Sequence, residues 1–375
     1  MPLEAELTWS SEHASHRERL ILADPAFLAD GRWARAAEQA RAAGRAELDP
    51  SPWITPTGLA PVELAAGQFR LGVAPLPGRF YPRLAFATLA QGPRDMRPVR
   101  LLDYHDGHAR VDPNHPLAAG AARLVMQHSD LEPAPGRRMA ELFDGPGLQR
   151  LPADPAATFF QLDGFLREDA GSDSEFYAEP RFTQHLDAAC RAQIGRLYGR
   201  FLHPGQRVLD LMASWDSHLP EAPADLHLAG LGMNQAELAA NPRLHEVVVK
   251  DLNVRDDLPW GDAQFDVVLC TASIEYLVRP RAVLAEVRRV LRPGGVCLVT
   301  FSDRWFPPKA IHLWSQLHPF ERLGFALALL HDAGFADLHS ETLRGVQRPQ
   351  DDKYADQRNY ADPLFAAWGK VAASW

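Results

Sequence analysis

Asp210, Asn234 and Asp251 each stand at or just beyond the end of an apolar run of strand length, in RVLDLM, LHLAGLGMN and VVVKDLN. A carboxylate or amide at the end of a buried strand can hold the hydroxyl and amine groups of a small ligand. Ser214 follows the first run, and Thr271 and Ser273 follow a further one, FDVVLC, so hydroxyls join the set. An Asp after a strand also serves as a turn or cap residue. Folding alone, however, does not require Asp210, Ser214, Asn234 and Asp251 together. Asp303, Arg304, Trp305 and Lys309 lie in FSDRWFPPKAIHLW, after the run VCLVTFS. They would overhang the same edge, where substrate enters; the competing reading is a solvated loop with Trp305 packed on the body. His218 reads as a structural histidine before a base. Cys190, Cys270 and Cys297 are far apart, two of them inside apolar runs, and suggest buried thiols with neither a disulfide nor a metal site.

The elements that must position these residues follow from the alternation of the text. Between the apolar runs lie helical stretches: QAELAANPRL, RPRAVLAEVRRVLRPGG and ERLGFALALLHDAGF. Another, RFTQHLDAACRAQIGRLYGRFL, precedes the first run and stops at Pro204-Gly205. Continuous apolar runs alternating with helices predict a Rossmann-like α/β fold, a doubly wound and mostly parallel sheet covered on both faces. Ligands of such sheets bind beyond the carboxyl ends of the strands.

RVLDL, VVVKDLN, FDVVLCTASIEYL and RVLRPGGVCLVTFS together resemble class I S-adenosylmethionine-dependent methyltransferases, over about residues 182–343. SWDSHLP and GLGMN resemble a subgroup of that family. The resemblance implies S-adenosyl-L-methionine as cofactor. It places Asp210 and the loop carrying Met212, Ser214 and Trp215 against the methionine moiety, Asp251 on the adenine amino group with Leu252 packed nearby, and Thr271 and Ser273 beside the transfer site. Gly232 stands where the family carries a ribose-binding carboxylate, with Met233 beside it and Asn234 as the available substitute. The loop LDLMASWDSHLP lacks the family's glycines, so Trp215 implies a pocket either reshaped or lost. Methyl transfer from a sulfonium asks mainly for alignment, and no catalytic residue is assigned.

The first half reads differently. Residues 3–48 carry a helical pattern, clearest in RWARAAEQARAAGRAEL, which Ser51-Pro52 and Thr55-Pro56 break. Asp106-Gly107, between two short apolar stretches, predicts a β-hairpin. PVRLLDYHDGHARVDPNHPLAA is similar to a strand segment of FKBP-type prolyl isomerases of the SlyD kind, with Asn114, His115, Pro116 and Leu117 at its centre. The expected organisation is a helical segment (1–50), a β-rich FKBP-like segment (51–130), connecting loops (131–180), the Rossmann-like domain (181–345) and a C-terminal tail (346–375).

A formal charge of -9, without a basic stripe, argues against a nucleic-acid partner. No run is long and apolar enough for a membrane span, and the first residues do not read as a secretory signal, so a cytoplasmic location is expected. Two functions are consistent with these features. One is a methyltransferase acting on a small-molecule or protein acceptor. The other is a non-catalytic binding or scaffold protein with a degenerate cofactor site and an FKBP-like peptide-binding module.

Overall fold

The computed structural model describes residues 2–23, 31–54, 58–65, 67, 69, 75–90, 95–118, 120–223 and 225–373. Thr55-Pro56 lies outside them. The strands in chain order are β1 (Leu3–Ser10), β2 (Ala14–Leu22), β3 (Arg45–Leu48), β4 (Val62–Ala65), β5 (Phe80–Pro82), β6 (Pro98–His105), β7 (His108–Asp112), β8 (Ala122–His128), β9 (Arg207–Leu211), β10 (His227–Gly232), β11 (Glu246–Val249), β12 (Phe265–Thr271), β13 (Leu291–Phe301), β14 (Ala336–Arg344) and β15 (Leu364–Lys370).

RVLDL and FDVVLCT are apolar on both faces because both are covered. Leu209, Leu211, Val268 and Cys270 pack with Val283, Leu284, Val287, Leu323 and Leu327, which belong to the helices Pro280–Val290 and Pro319–Asp332. Val208, Val267, Leu269 and Leu298 pack on the other face with Ile194 and Leu197 of the helix Ala188–Tyr198. Strands β9 to β13 are mutually parallel in the order β11-β10-β9-β12-β13. The order reverses at β9, which opens a crevice beyond the carboxyl edge between β9 and β12.

Residues 346–375 are not a tail. They supply β15, which enters the sheet antiparallel between β13 and β14. The run LFAAWGK is buried over all but its final residue, so its apolar content is that of an interior strand. Gly369 permits the insertion, since a Cβ there would stand 2.6 Å from the Leu338 side chain.

Of the helical pattern expected over residues 3–48, the described residues form a helix at Gly31–Ala43 and strands at β1, β2 and β3. Leu3, Ala5, Leu7 and Trp9 point inward at alternate positions of β1, and Leu20 and Leu22 do so on β2. They pack on Trp33, Ala36, Ala37 and Ala40 of that helix. The period of two overrides the helix propensity of Leu, Ala and Glu because one face of the strand is the core. Outward Glu4 and Glu6 pair across the strands with Arg19 and Arg17.

These N-terminal strands continue the large sheet. Its full order is β11-β10-β9-β12-β13-β15-β14-β2-β1-β8-β3, eleven strands in all, with β14 and β2 parallel. The Asp106-Gly107 hairpin is present, both residues having positive φ. It belongs to a separate four-stranded sheet, β4-β7-β6-β5, with its own core of Tyr81, Phe86, Val99, Leu101 and Val111. The segment 51–130 is therefore divided: β8 leaves the small sheet for the large one. At the turn between, His115 Nε2 lies 2.8 Å from the Phe143 carbonyl and its Nδ1 accepts from Leu117 N. Asn114 exchanges hydrogen bonds with both backbone groups of Leu59. All three cysteines are free and buried. Among the described residues no helix is long and apolar enough to cross a membrane, and no cluster of His, Cys, Asp and Glu could hold a metal.

Candidate functional site

A cavity of about 230 Å³ opens at the carboxyl edge of β9, β10, β11 and β12. On its floor the chain leaves β9 with Met212 at φ +61, the left-handed conformation that glycine usually supplies. Ala213 N then donates to Leu231 O at 2.7 Å, which lays the loop directly onto β10. The close approach is absorbed by the strand: a Cβ on Gly232 would lie 2.2 Å from Ala213 O. The glycine missing from the loop is thus found across from it. Asn241 fixes the rest of the loop by donating to Ser214 O and to Ser217 Oγ.

Asp210 is 4% exposed and borders the cavity. Burial raises its carboxyl to about 7, against a hydrogen bond from Ser217. Asp216 moves the other way, held well below the usual carboxylate range by His218, while Gln184 Nε2 donates to it at 2.6 Å. His218 Nδ1 stands 3.1 Å from Asp216 Oδ2 without the alignment of a hydrogen bond. Asp251 closes a turn through Oδ1, which accepts from Asn253 N and Val254 N, and leaves Oδ2 without a hydrogen-bond partner among the described residues.

The roof is the segment from Asp173 to Leu186. Asp173 anchors it, bound by Arg167, by Asn253 Nδ2 at 2.8 Å and by Lys309 at 3.2 Å. Asn234 Nδ2 donates to Tyr177 O and Ala178 O, and Glu237 accepts from Arg181 N at 2.7 Å. The Arg181 guanidinium lies 4.5 Å over Phe176 and 5.4 Å over Phe306. Trp215 leans edge-on against Phe182, ring centroids 6.4 Å apart, and so forms wall rather than plug.

Residues 224–299 match the family described as "Methyltransferase domain". The O-methyltransferase rstn1 of Aspergillus nomiae is 31% identical over 155 residues, which are 37% of this chain and 68% of that protein. The chain belongs to the methyltransferase family. A ubiquinone/menaquinone biosynthesis C-methyltransferase of Laribacter hongkongensis is 26% identical over 181 residues, 45% of this chain and 70% of its own. A demethylmenaquinone methyltransferase of Renibacterium salmoninarum is 34% identical over 107 residues, 28% of this chain, and the chain spans only 45% of that relative's length.

In this methyltransferase-family chain every residue expected from the sequence for the cofactor borders the one cavity: Asp210, Met212, Ser214, Trp215, Gly232, Met233, Asn234, Asp251, Leu252, Thr271 and Ser273. Several have their polar groups committed elsewhere. Thr271 Oγ1 bonds the Tyr198 hydroxyl, and Ser273 Oγ donates to Thr271 O. Asn234, the expected substitute for a ribose carboxylate, is committed as well. Its Oδ1 accepts from Ala236 N and Glu237 N as a helix cap while its Nδ2 is held by the roof, so no group is left over.

The four residues expected to meet substrate divide. Arg304 and Trp305 are in the cavity wall, Arg304 4.4 Å over Tyr354 and Trp305 under Arg322 at 4.1 Å. Asp303 lies outside the wall, ion-paired with Arg358. Lys309 is 1% exposed and bonded to Asp169, Asp173 and Gly171 O, so it anchors the roof instead of facing the entrance. Sequence reasoning missed Asp173, Tyr177, Arg181 and Glu237. The aromatic and charged mixture in DSEFYAEPR was the only local sign that residues 131–180 do more than connect.

Proposed function

We propose that this chain transfers a methyl group from S-adenosylmethionine to an acceptor enclosed beneath the roof segment. One observation carries the reading: residues from four separate strand ends, chosen for one ligand, border a single cavity at the point where the strand order reverses. The residues fit that cofactor. Gly232 and the left-handed Met212 give a floor of bare backbone, and Asp251 Oδ2 is free to accept from an adenine amino group. Asp210, Ser214 and Met212 would border the methionine part, and Leu252 the adenine.

When bound, the cofactor supplies an activated methyl group. The chain's own contribution is orientation and exclusion of water. Tyr276, Trp305, Phe306 and Arg304 would line the acceptor's side, a mixture suited to a planar or aromatic small molecule with a polar group. Two of the relatives described above carry quinones in their names, one ubiquinone/menaquinone and the other demethylmenaquinone, which agrees with that class.

The test is ligand-induced stabilisation. S-adenosylhomocysteine at 100 times its Kd raises the melting temperature by several degrees, by mass action worth about 2.7 kcal/mol. Asp251→Ala shows a much smaller rise. No shift at millimolar ligand overturns the reading in favour of a non-catalytic protein.

A further inference from the structure

We propose that Glu237 binds the ribose hydroxyls of the cofactor, a task for which the end of β10 has no side chain. The inference rests on the function proposed above. At Gly232 any Cβ would meet Ala213 O at 2.2 Å and Ala213 C at 3.2 Å, and both are backbone atoms that cannot swing aside. The constraint comes from the loop, which is tied down by Ala213 N to Leu231 O. A carboxylate at position 232 and a loop in this path exclude each other. The next polar residue, Asn234, has both amide hydrogens and its oxygen committed.

Glu237, three residues beyond Asn234 in the first turn of the helix Gln235–Ala240, borders the cavity. One carboxylate oxygen accepts from Arg181 N at 2.7 Å, the other from Ser214 Oγ at 2.6 Å. A carboxylate has about four acceptor positions, so two remain for a pair of adjacent hydroxyls. Its two existing bonds come from opposite sides, one from the roof and one from the floor loop. They hold it in place before any ligand arrives, and preorganised charged acceptors make the stronger hydrogen bonds. Ser214 is thereby a positioning residue for Glu237.

Calorimetric titration with S-adenosylhomocysteine and with its 2′,3′-dideoxy analogue tests the assignment. The unmodified protein is expected to bind the dideoxy analogue about 10- to 100-fold more weakly than the parent compound. In Glu237→Gln, an isosteric change, that ratio falls towards one, because the parent weakens and the analogue does not. Ser214→Ala keeps most of the ratio, and Asp251→Ala weakens both ligands alike and keeps it fully. Thermal melts of the ligand-free variants verify folding, and Glu237→Met serves if the glutamine variant does not fold. A ratio unchanged in the Glu237 variant overturns the assignment. Failure of the unmodified protein to bind the parent compound overturns the methyltransferase reading instead.

Discussion

Glu275 shows at the scale of one residue what burial does to an acid. It is 1% exposed, its Oε2 has no hydrogen-bond partner, and burial raises its carboxyl to about 7, with Arg322 pulling the other way. A folded-state pKa above the unfolded value means that the contribution to stability is complete below about 4.5 and is lost as pH rises through about 7. Glu275→Gln removes that titration. Between pH 5 and pH 8 the wild type should lose about 2–3 kcal/mol relative to the variant, measured by denaturant unfolding at several pH values. Parallel stability curves would show that the carboxyl ionises as freely in the folded state as in the unfolded. Asp210, raised by burial in the same manner, adds to the decline in the parent protein. Of the site itself, Asp210 and Asp251 were legible because strand order alone carries strand ends to one edge. Glu237 and Arg181 were not, since their places depend on the path of a loop and a roof that no local pattern records. Asn234 was legible as a polar group at a strand end, whereas its hydrogen bonds to the helix start and to the roof were not.

Among the elements, the parallel strands and their helices were readable from continuous apolar runs alternating with helical stretches. β1 and β2 were not. His16 and Glu18 sit on the inward face of β2, buried and bonded to Ser340, Thr342 and Gln149, so its alternation of apolar and polar residues is masked. β15 was missed for a different reason: it lies beyond the family-like stretch, and nothing local says that a late apolar run will turn back into the sheet. It is bonded along its length to β13 on one side and β14 on the other. A chain ending at Asp362 should therefore expose two unpaired strand edges and fail to give a soluble, cooperatively melting protein. Recovery of a soluble monomer with an unchanged melting temperature would mean that β13 and β14 pair without it.

Across the whole molecule, the two halves that differ so clearly as text share one sheet. The seam is the parallel pairing of β2 with β14, backed by Arg17 and Arg19 on Glu341 and by Gly345, where a Cβ would lie 2.4 Å from Ile21 O. Composition shifts mark a change of style between the halves, and the text offers no sign of a seam formed between residues more than 300 positions apart. Such a joint should unfold as one unit. Trp33 reports on the N-terminal core and Trp314 on the C-terminal core. Variants retaining only one or the other of these two tryptophans are expected to show coincident denaturation midpoints. Two separated midpoints would show that the seam transmits little.

The position of β15 also bears on how the molecule is made. Among the described residues it is the last strand in the sequence and yet stands between β13 and β14. During synthesis β13 and β14 are both made before the strand that pairs with them, Leu364–Lys370. Until that segment inserts, the edges of β13 and β14 that face it are unpaired, and pairing of those edges with a second nascent chain is the expected route to misassembly.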